Sequence, residues 1–356
     1  ALIRRLFSEQ VQFVDIAKNF ITVNDFHSLL QNVVFGSESR GKLGGKSAGL
    51  YLAEKIIVKS ANGDPLLTGI KTPKTWYVTS DAIMSFMYYN NLEEIVEQKY
   101  KEINQVRLEY PHVVQTFKNG IFPPEVLKGL SVALDDLGDR PLIVRSSSLL
   151  EDRFGAAFSG KYKSLFLANQ GTKQERLNAL CDAITEVYAS TFGPDPIEYR
   201  AERGLLDFYE EMGIMIQEVV GTKIGHYFLP AYAGVAFSKN EFRWSPRIKR
   251  EDGLIRLVPG LGTRAVDRLS DDYPVLLAPG QPGLRVNVTM EESIRYAPQY
   301  VDAIDLTTSS FETVSIQHLL RNYGHEIQNV HEIVSILDRD HIRNFLGLHC
   351  DFSKDD

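Results

Sequence analysis

"LIVRSSSLLEDRFGAAFSG", running from Leu142 to Gly160, is the stretch on which the reading turns. Its opening, with the preceding proline, is "PLIVR" (141–145), an apolar run that predicts a buried strand. The strand ends on Arg145, the hydroxyls of Ser146 to Ser148, the acids Glu151 and Asp152, and a loop of small residues. A structural strand needs only a turn at its end, so a fixed cation beside a row of hydroxyls asks for another reason. A rigid guanidinium with five donors matches phosphate oxygens, and the serines add further donors. "FGAAFSGKYKS" (154–164) has little side-chain bulk, which lets backbone N–H groups come close to a ligand. Glu151 and Asp152 would repel a phosphate unless they face away or hold Arg145 in place. The plain alternative is a strand leading into a surface turn with a salt bridge. This segment alone does not separate the two.

The bulk properties narrow the field. A chain of 356 residues exceeds one ordinary domain, so two or three lobes are expected. Apolar residues at 44% and charged residues at 24% are globular values, enough for a substantial core. A formal charge of −7 speaks against nucleic acid as the main partner, since phosphate backbones call for basic surface. The two cysteines, Cys181 and Cys350, make no disulfide framework, which points to a reducing compartment, the cytoplasm. No run approaches the ~18 apolar residues of a membrane span, and no signal peptide is visible. The chain opens on Ala1 rather than Met, as expected of a processed product or a piece of something longer.

Helices and strands alternate along the chain, which predicts a mixed α/β or α+β protein. Residues 8–34 read as one or two amphipathic helices, and a helix is expected from about Ser47. "TWYVT" (75–79) reads as a strand, with Ser80 or Asp81 capping a helical stretch over 82–107. Further helices are predicted over 122–138, 173–191 and 195–212, and a second strand over 163–168. Residues 213–220 and 231–238 resemble central strands, and 254–258 another. The polar segment 239–253 reads as an exposed connection, "APGQPG" (278–283) as a linker, and 311–345 mixes both patterns.

Several tempting motifs fail on spacing. "GKLGGKS" (41–47) lacks the P-loop glycine, because Arg40 stands five residues before Gly45. A glycine-rich turn entering a helix still exposes N–H groups, and Lys46 adds a mobile charge. "HEIQNVHEIV" (325–334) separates its histidines by six residues rather than four, so they do not share a helix face as a zinc site needs. There is no G-x-S-x-G elbow, and "GLGTR" (260–264) is too short for a dinucleotide fingerprint.

Taken in order, "GGKSAGL" (44–50), "PKTWYVTSDA" (73–82) and "VRSSSLLEDRFGAAFSG" (144–160) resemble the N-terminal nucleotide-binding domain of the phosphoenolpyruvate synthase and pyruvate phosphate dikinase family. That domain is shared with glucan water dikinases and rifampin phosphotransferases. The likeness continues through "IQEVV" (216–220), "AGVAFS" (233–238), "GLG" (260–262) and "DDYPV" (271–275), so it covers roughly residues 40–280.

The resemblance implies an α+β, ATP-grasp-like fold in which two lobes clasp ATP, with an additional N-terminal helical segment. The implied division is a helical extension at 1–35, a first part at 36–212, a second lobe at 213–280 and an unassigned remainder at 281–356. Carried over by position, Lys46 and Arg145 contact the phosphates with Ser146 and Ser147. Gly160 belongs to the phosphate-covering loop, and Ser164 replaces a family threonine. Gln217, Glu218 and the residues to Val220 read the adenine edge. ATP is split to AMP, and a phosphoryl group passes to a histidine on a swivelling domain or partner, since none of the eight histidines here has the family's T-S-H context.

The chain also departs from the family. Thr263 replaces the acid of G-L-G-E, and Arg256 stands where a glutamate would hold magnesium. Asp267, aligned with a family glutamine, is the remaining magnesium ligand, while Arg264 and Arg268 either bind phosphate or fill the metal's place. The reading that follows is an ATP-binding phosphotransferase domain. Its rivals are a nucleotide-binding regulatory module without catalysis and a structural interaction domain without nucleotide.

Overall fold

The structure is a computed structural model that describes all residues except 37–38, 151–159, 209, 267–271, 339–340 and 345–356. It is a mixed α and β architecture with several sheets, and it divides into two compact units, Ala1–Val219 and Val220–Asp356.

The first unit opens with three helices, α1 (Leu2–Leu6), α2 (Val11–Ala17) and α3 (Val23–Leu30), followed by the short strand β1 (Val33–Val34). Next come α4 (Gly45–Ala61), α5 (Pro65–Thr68), β2 (Thr75–Val78) and α6 (Ala82–Tyr89). The helical stretch predicted over 82–107 is interrupted, because Asn91 adopts a left-handed φ of +54° after α6. A 3₁₀ segment (Glu93–Tyr100) and α7 (Ile103–Lys118) follow, and α7 runs on through Pro111. Then come α8 (Pro124–Leu137), β3 (Leu142–Ser148), β4 (Ser164–Leu167), α9 (Lys173–Ser190), α10 (Pro194–Glu202) and β5 (Met212–Glu218). The helix expected to reach residue 212 stops at Glu202, where Gly204 turns the chain at a φ of +65°.

These strands form one sheet in the order β1-β2-β5-β3-β4. β1 and β2 are parallel and every other pair is antiparallel. Successive side chains of a strand face opposite ways, and here both faces are covered. Val144, Ile214 and Ile216 join the core with Phe86, Phe117, Leu130, Ile184 and Tyr188. Tyr77 and Met215, one residue out of phase with Val78 and Ile216, join Phe7, Phe26, Leu43 and Tyr51 instead. That double cover is why β5 reads "MGIMIQE", an apolar run without polar alternation. Truncating a fully buried ring such as Phe86 to alanine would cost roughly 3–5 kcal/mol.

The second unit is built on two antiparallel sheets. One is ordered β10-β9-β8, from β8 (Tyr232–Phe237), β9 (Leu254–Pro259) and β10 (Val275–Leu277). The other is ordered β12-β11-β7-β6, from β6 (Thr222–Ile224), β7 (Tyr227–Leu229), β11 (Tyr300–Asp305) and β12 (Ser310–Ser315). A parallel bridge between Gly260 and Asp302 ties them. The helix α11 (Thr263–Val266) follows β9, α12 (Met290–Arg295) precedes β11, and α13 (Ile316–Tyr323) and α14 (Val330–Ile333) follow β12. The strands Ser335–Asp338 and His341–Asn344 pair antiparallel at the end of the described chain. β8, whose apolar composition predicted a central strand, lies at a sheet edge with Tyr232 and Phe237 exposed. Its small residues serve close approach instead, since a Cβ on Gly234 would fall 2.0 Å from the Arg256 carbonyl oxygen.

Candidate functional site

The glycine-rich turn is laid directly on the sheet of the first unit. Gly44 holds a φ of +83°, and a Cβ there would lie 1.6 Å from the Ser147 carbonyl oxygen. From the neighbouring strand, a Cβ on Gly213 would lie 2.7 Å from the Leu43 oxygen and 2.9 Å from that of Ser147. Glycine at both positions lets the turn, β3 and β5 meet. The helix expected from about Ser47 starts at Gly45. Its first turn is pinned where the Ser47 N–H and hydroxyl donate to Ser147 Oγ at 3.0 and 2.9 Å, both serines being fully buried. Lys46 Nζ donates to Ser146 Oγ at 3.0 Å. Lys46 therefore stands over the end of β3, at the positive end of a 17-residue helix.

Arg145 lies on β3 opposite Met215 of β5 and Ser164 of β4. It is half-buried. Strand alternation puts it on the face opposite Ser146, so Lys46 and Ser146 are brought into contact while Arg145 is their neighbour along the strand. Ser147 is committed to the start of α4, and Ser148 Oγ accepts from the Leu150 N–H at 3.1 Å. Gly160 is exposed with a φ of +79°, and Ser164 is exposed on β4. Glu151, Asp152, Asp267 and Arg268 lie outside the described residues.

The loop before Lys46 is held by a group that the sequence reading took for a helix cap. Asp81 makes no capping bond to α6. Its carboxylate instead accepts from the Arg40 N–H at 2.7 Å and the Ser39 hydroxyl at 2.9 Å. Burial pushes the Asp81 pKa up, but hydrogen bonds from Thr79, Arg40, Ser39 and Gly41 outweigh that and hold it below the ordinary value. Beside it, Ser80 Oγ accepts from the Lys42 N–H at 2.9 Å and donates to Glu211 at 2.6 Å. "TSD" after a strand was the only signal for this cluster, and it reads equally as an ordinary helix start.

The expected adenine edge is differently used. Gln217 is buried, and its amide donates to Thr75 Oγ1 at 2.9 Å. Glu218 accepts from the Lys74 N–H at 3.0 Å and pairs with Arg140 at 3.3 Å. The Glu218 and Val219 N–H groups are taken by the carbonyls of Lys74 and Pro141. Val220, at 61% exposure, is the open end of this run.

In the second unit Arg264 is 8% exposed, with its guanidinium paired to Asp272 at 2.8 Å and to Asp302 at 3.2 Å. Asp302 also accepts from the hydroxyls of Thr263 and, at 2.7 Å, Thr313. Two buried carboxylates thus more than neutralise the extra arginine, which is engaged within the unit. Among the described residues no three His, Cys, Asp or Glu side chains gather as a metal site. With Asp272 and Asp302 engaged by Arg264 and an arginine at 256, the described donor set does not fit magnesium. No described helix is long and apolar enough to cross a membrane.

Residues 40–340 match the family described as pyruvate phosphate dikinase, AMP/ATP-binding domain. Phosphoenolpyruvate synthase of Aquifex aeolicus (strain VF5) is 28% identical over 193 residues, 51% of this chain and 21% of that protein. An uncharacterized phosphotransferase of Bacillus subtilis (strain 168) is 26% identical over 200 residues, 56% of this chain and 20% of that one. The match spans about a fifth of the length of either relative.

Proposed function

The chain belongs to the pyruvate phosphate dikinase AMP/ATP-binding domain family, and on that premise we propose that it binds ATP at the start of α4 and passes a phosphoryl group to a histidine on another domain or partner. The observation that carries this reading is Lys46, held 3.0 Å from Ser146 at the helix start, beside Arg145 on the same strand end. Charge spreads over the phosphoryl oxygens in the transition state, so the protein's work is mainly neutralisation and positioning. A lysine, a guanidinium and first-turn N–H groups supply both, and losing one such donor costs roughly a hundred- to a thousand-fold in rate. Val220, rather than Gln217 with its amide bound to Thr75, would meet the adenine. The two-lobed ATP-grasp arrangement belongs to the same proposal, and no step in it is assigned to a metal held by this chain.

A second reading, a nucleotide-binding regulatory module without turnover, is favoured by Arg264, whose charge is already spent on Asp272 and Asp302. Calorimetric titration with ATP, with and without magnesium, on the wild type and on Lys46→Ala and Arg145→Ala separates the readings. Under the phosphotransferase reading, both substitutions weaken binding and a magnesium-dependent release of AMP accompanies it. Binding that ignores magnesium and yields no AMP supports the regulatory module. A folded wild type that does not bind ATP would falsify both.

A further inference from the structure

The segment ahead of the glycine-rich loop lies almost wholly outside the family match, which begins at residue 40. It nonetheless grips that loop. The Arg5 guanidinium, at the end of α1, donates to the carbonyl oxygens of Ser39 at 3.0 Å, of Arg40, and of Gly41 at 3.4 Å. One residue on, the Leu6 carbonyl accepts from the Leu43 N–H at 2.9 Å, and Glu9 pairs with Lys42 at 2.8 Å. Phe7 then anchors the turn, its ring 5.4 Å from Tyr51 of α4 and 5.7 Å from Phe26 of α3. The helix that carries Lys46 and the turn that grips the loop therefore share one packed cluster.

We infer that Arg5 is a positioning residue of the nucleotide site, fixing the loop that delivers Lys46 to Ser146; this rests on the nucleotide-site reading above. The loop is held from two sides with opposite polarity. Its carbonyls at 39–41 go to Arg5, while its N–H groups at 40 and 42 go to Asp81 and Ser80. A carbonyl oxygen left free beside a phosphate would repel it, and Arg5 commits three of them to a cation of the same chain. A loop ordered before the ligand arrives also spares binding the entropy of ordering it. Arginine is the residue for this task, because its planar fork reaches several acceptors at once where lysine offers a point charge.

The test compares the wild type with Arg5→Ala, Arg5→Lys and Lys46→Ala by calorimetric titration with ATP and by amide exchange of Lys42 and Leu43 without nucleotide. Arg5→Ala should raise the ATP dissociation constant roughly three- to tenfold and speed exchange by a similar factor. Leu6 and Phe7 stay buried, so the global unfolding midpoint should barely move. Arg5→Lys should fall between, and Lys46→Ala should lose affinity with exchange at 42–43 unchanged. Wild-type binding equalled by Arg5→Ala overturns the inference. If the wild type does not bind ATP, the nucleotide reading fails by itself. Exchange in Arg5→Ala then still decides whether Arg5 clamps the loop, with unchanged rates overturning the clamp and faster rates upholding it.

Discussion

A methyl group on Gly44 would lie 1.6 Å from the Ser147 carbonyl oxygen, on a backbone already at a φ of +83°. Gly44→Ala must therefore move either the turn or β3, and both are fixed by buried hydrogen bonds. It should cost roughly 3 kcal/mol or more of stability, read as a shift in denaturant midpoint. An unchanged midpoint would mean that the turn is not seated on β3. Asp81 gives the matching test in pH. Its folded carboxyl lies below the ordinary value of 3.8, so its stabilisation is present above that value and is lost as pH falls through the folded one. Between about pH 5 and pH 3, the stability of Asp81→Asn should fall less steeply with acid than that of the wild type. Equal slopes would remove Asp81 as the holder of the loop. At this scale the placement of Lys46 at a helix start and of Arg145 on a buried strand was legible, because charge at an element's end is conspicuous in one dimension. The partners of Asp81, 41 and 42 residues away in sequence, were not, because "TSD" carries the same letters whether it caps a helix or receives a loop.

Whole elements were legible where a local rule acted alone. The helix α9 is capped by Thr172, whose hydroxyl accepts from the Glu175 N–H while Glu175 bonds back, a capping box written in four consecutive residues. The same helix buries Leu180, Ile184 and Val187 against the sheet. Thr172→Ala should cost about 1 kcal/mol, measurable by urea unfolding. A neutral result would mean that packing alone sets the start of α9. Elements were misjudged where the fold overrode the local rule. The helical stretch expected over 82–107 stops short of Lys118, where α7 ends; α7 runs on through Pro111, with Val106, Val113 and Phe117 packed on both sides of the proline. β8 looked central from its composition, although its glycine and alanines serve close backbone approach at a sheet edge. In both cases the deciding partner comes from a distant segment that no window of sequence contains.

For the molecule as a whole, the decisive question is where the first unit ends. A reading from motif order puts a boundary at residue 212, before the strand expected to open the second lobe. In the fold that strand is β5, the middle of five, paired along its length with β3 on one side and with β2 on the other. Its side chains enter both cores of the unit, Ile214 and Ile216 on one face and Met215 on the other. A chain ending at Val219 keeps every strand of this sheet and both of its cores. One ending at residue 212 removes the central strand, opens two sheet edges and strips both cores of contacts, and open apolar edges aggregate. The first should therefore unfold cooperatively in urea with a defined midpoint, and the second should be aggregated or lack a cooperative transition. The residues proposed to meet the phosphates, Lys46, Arg145 and Ser146, all lie in that first unit, as does the Arg5 clamp. If the shorter chain folded as well as the longer one, β5 would not be integral to this sheet. The strand end on which the phosphate reading rests would then lose the strand that Ser146 to Ser148 pair with.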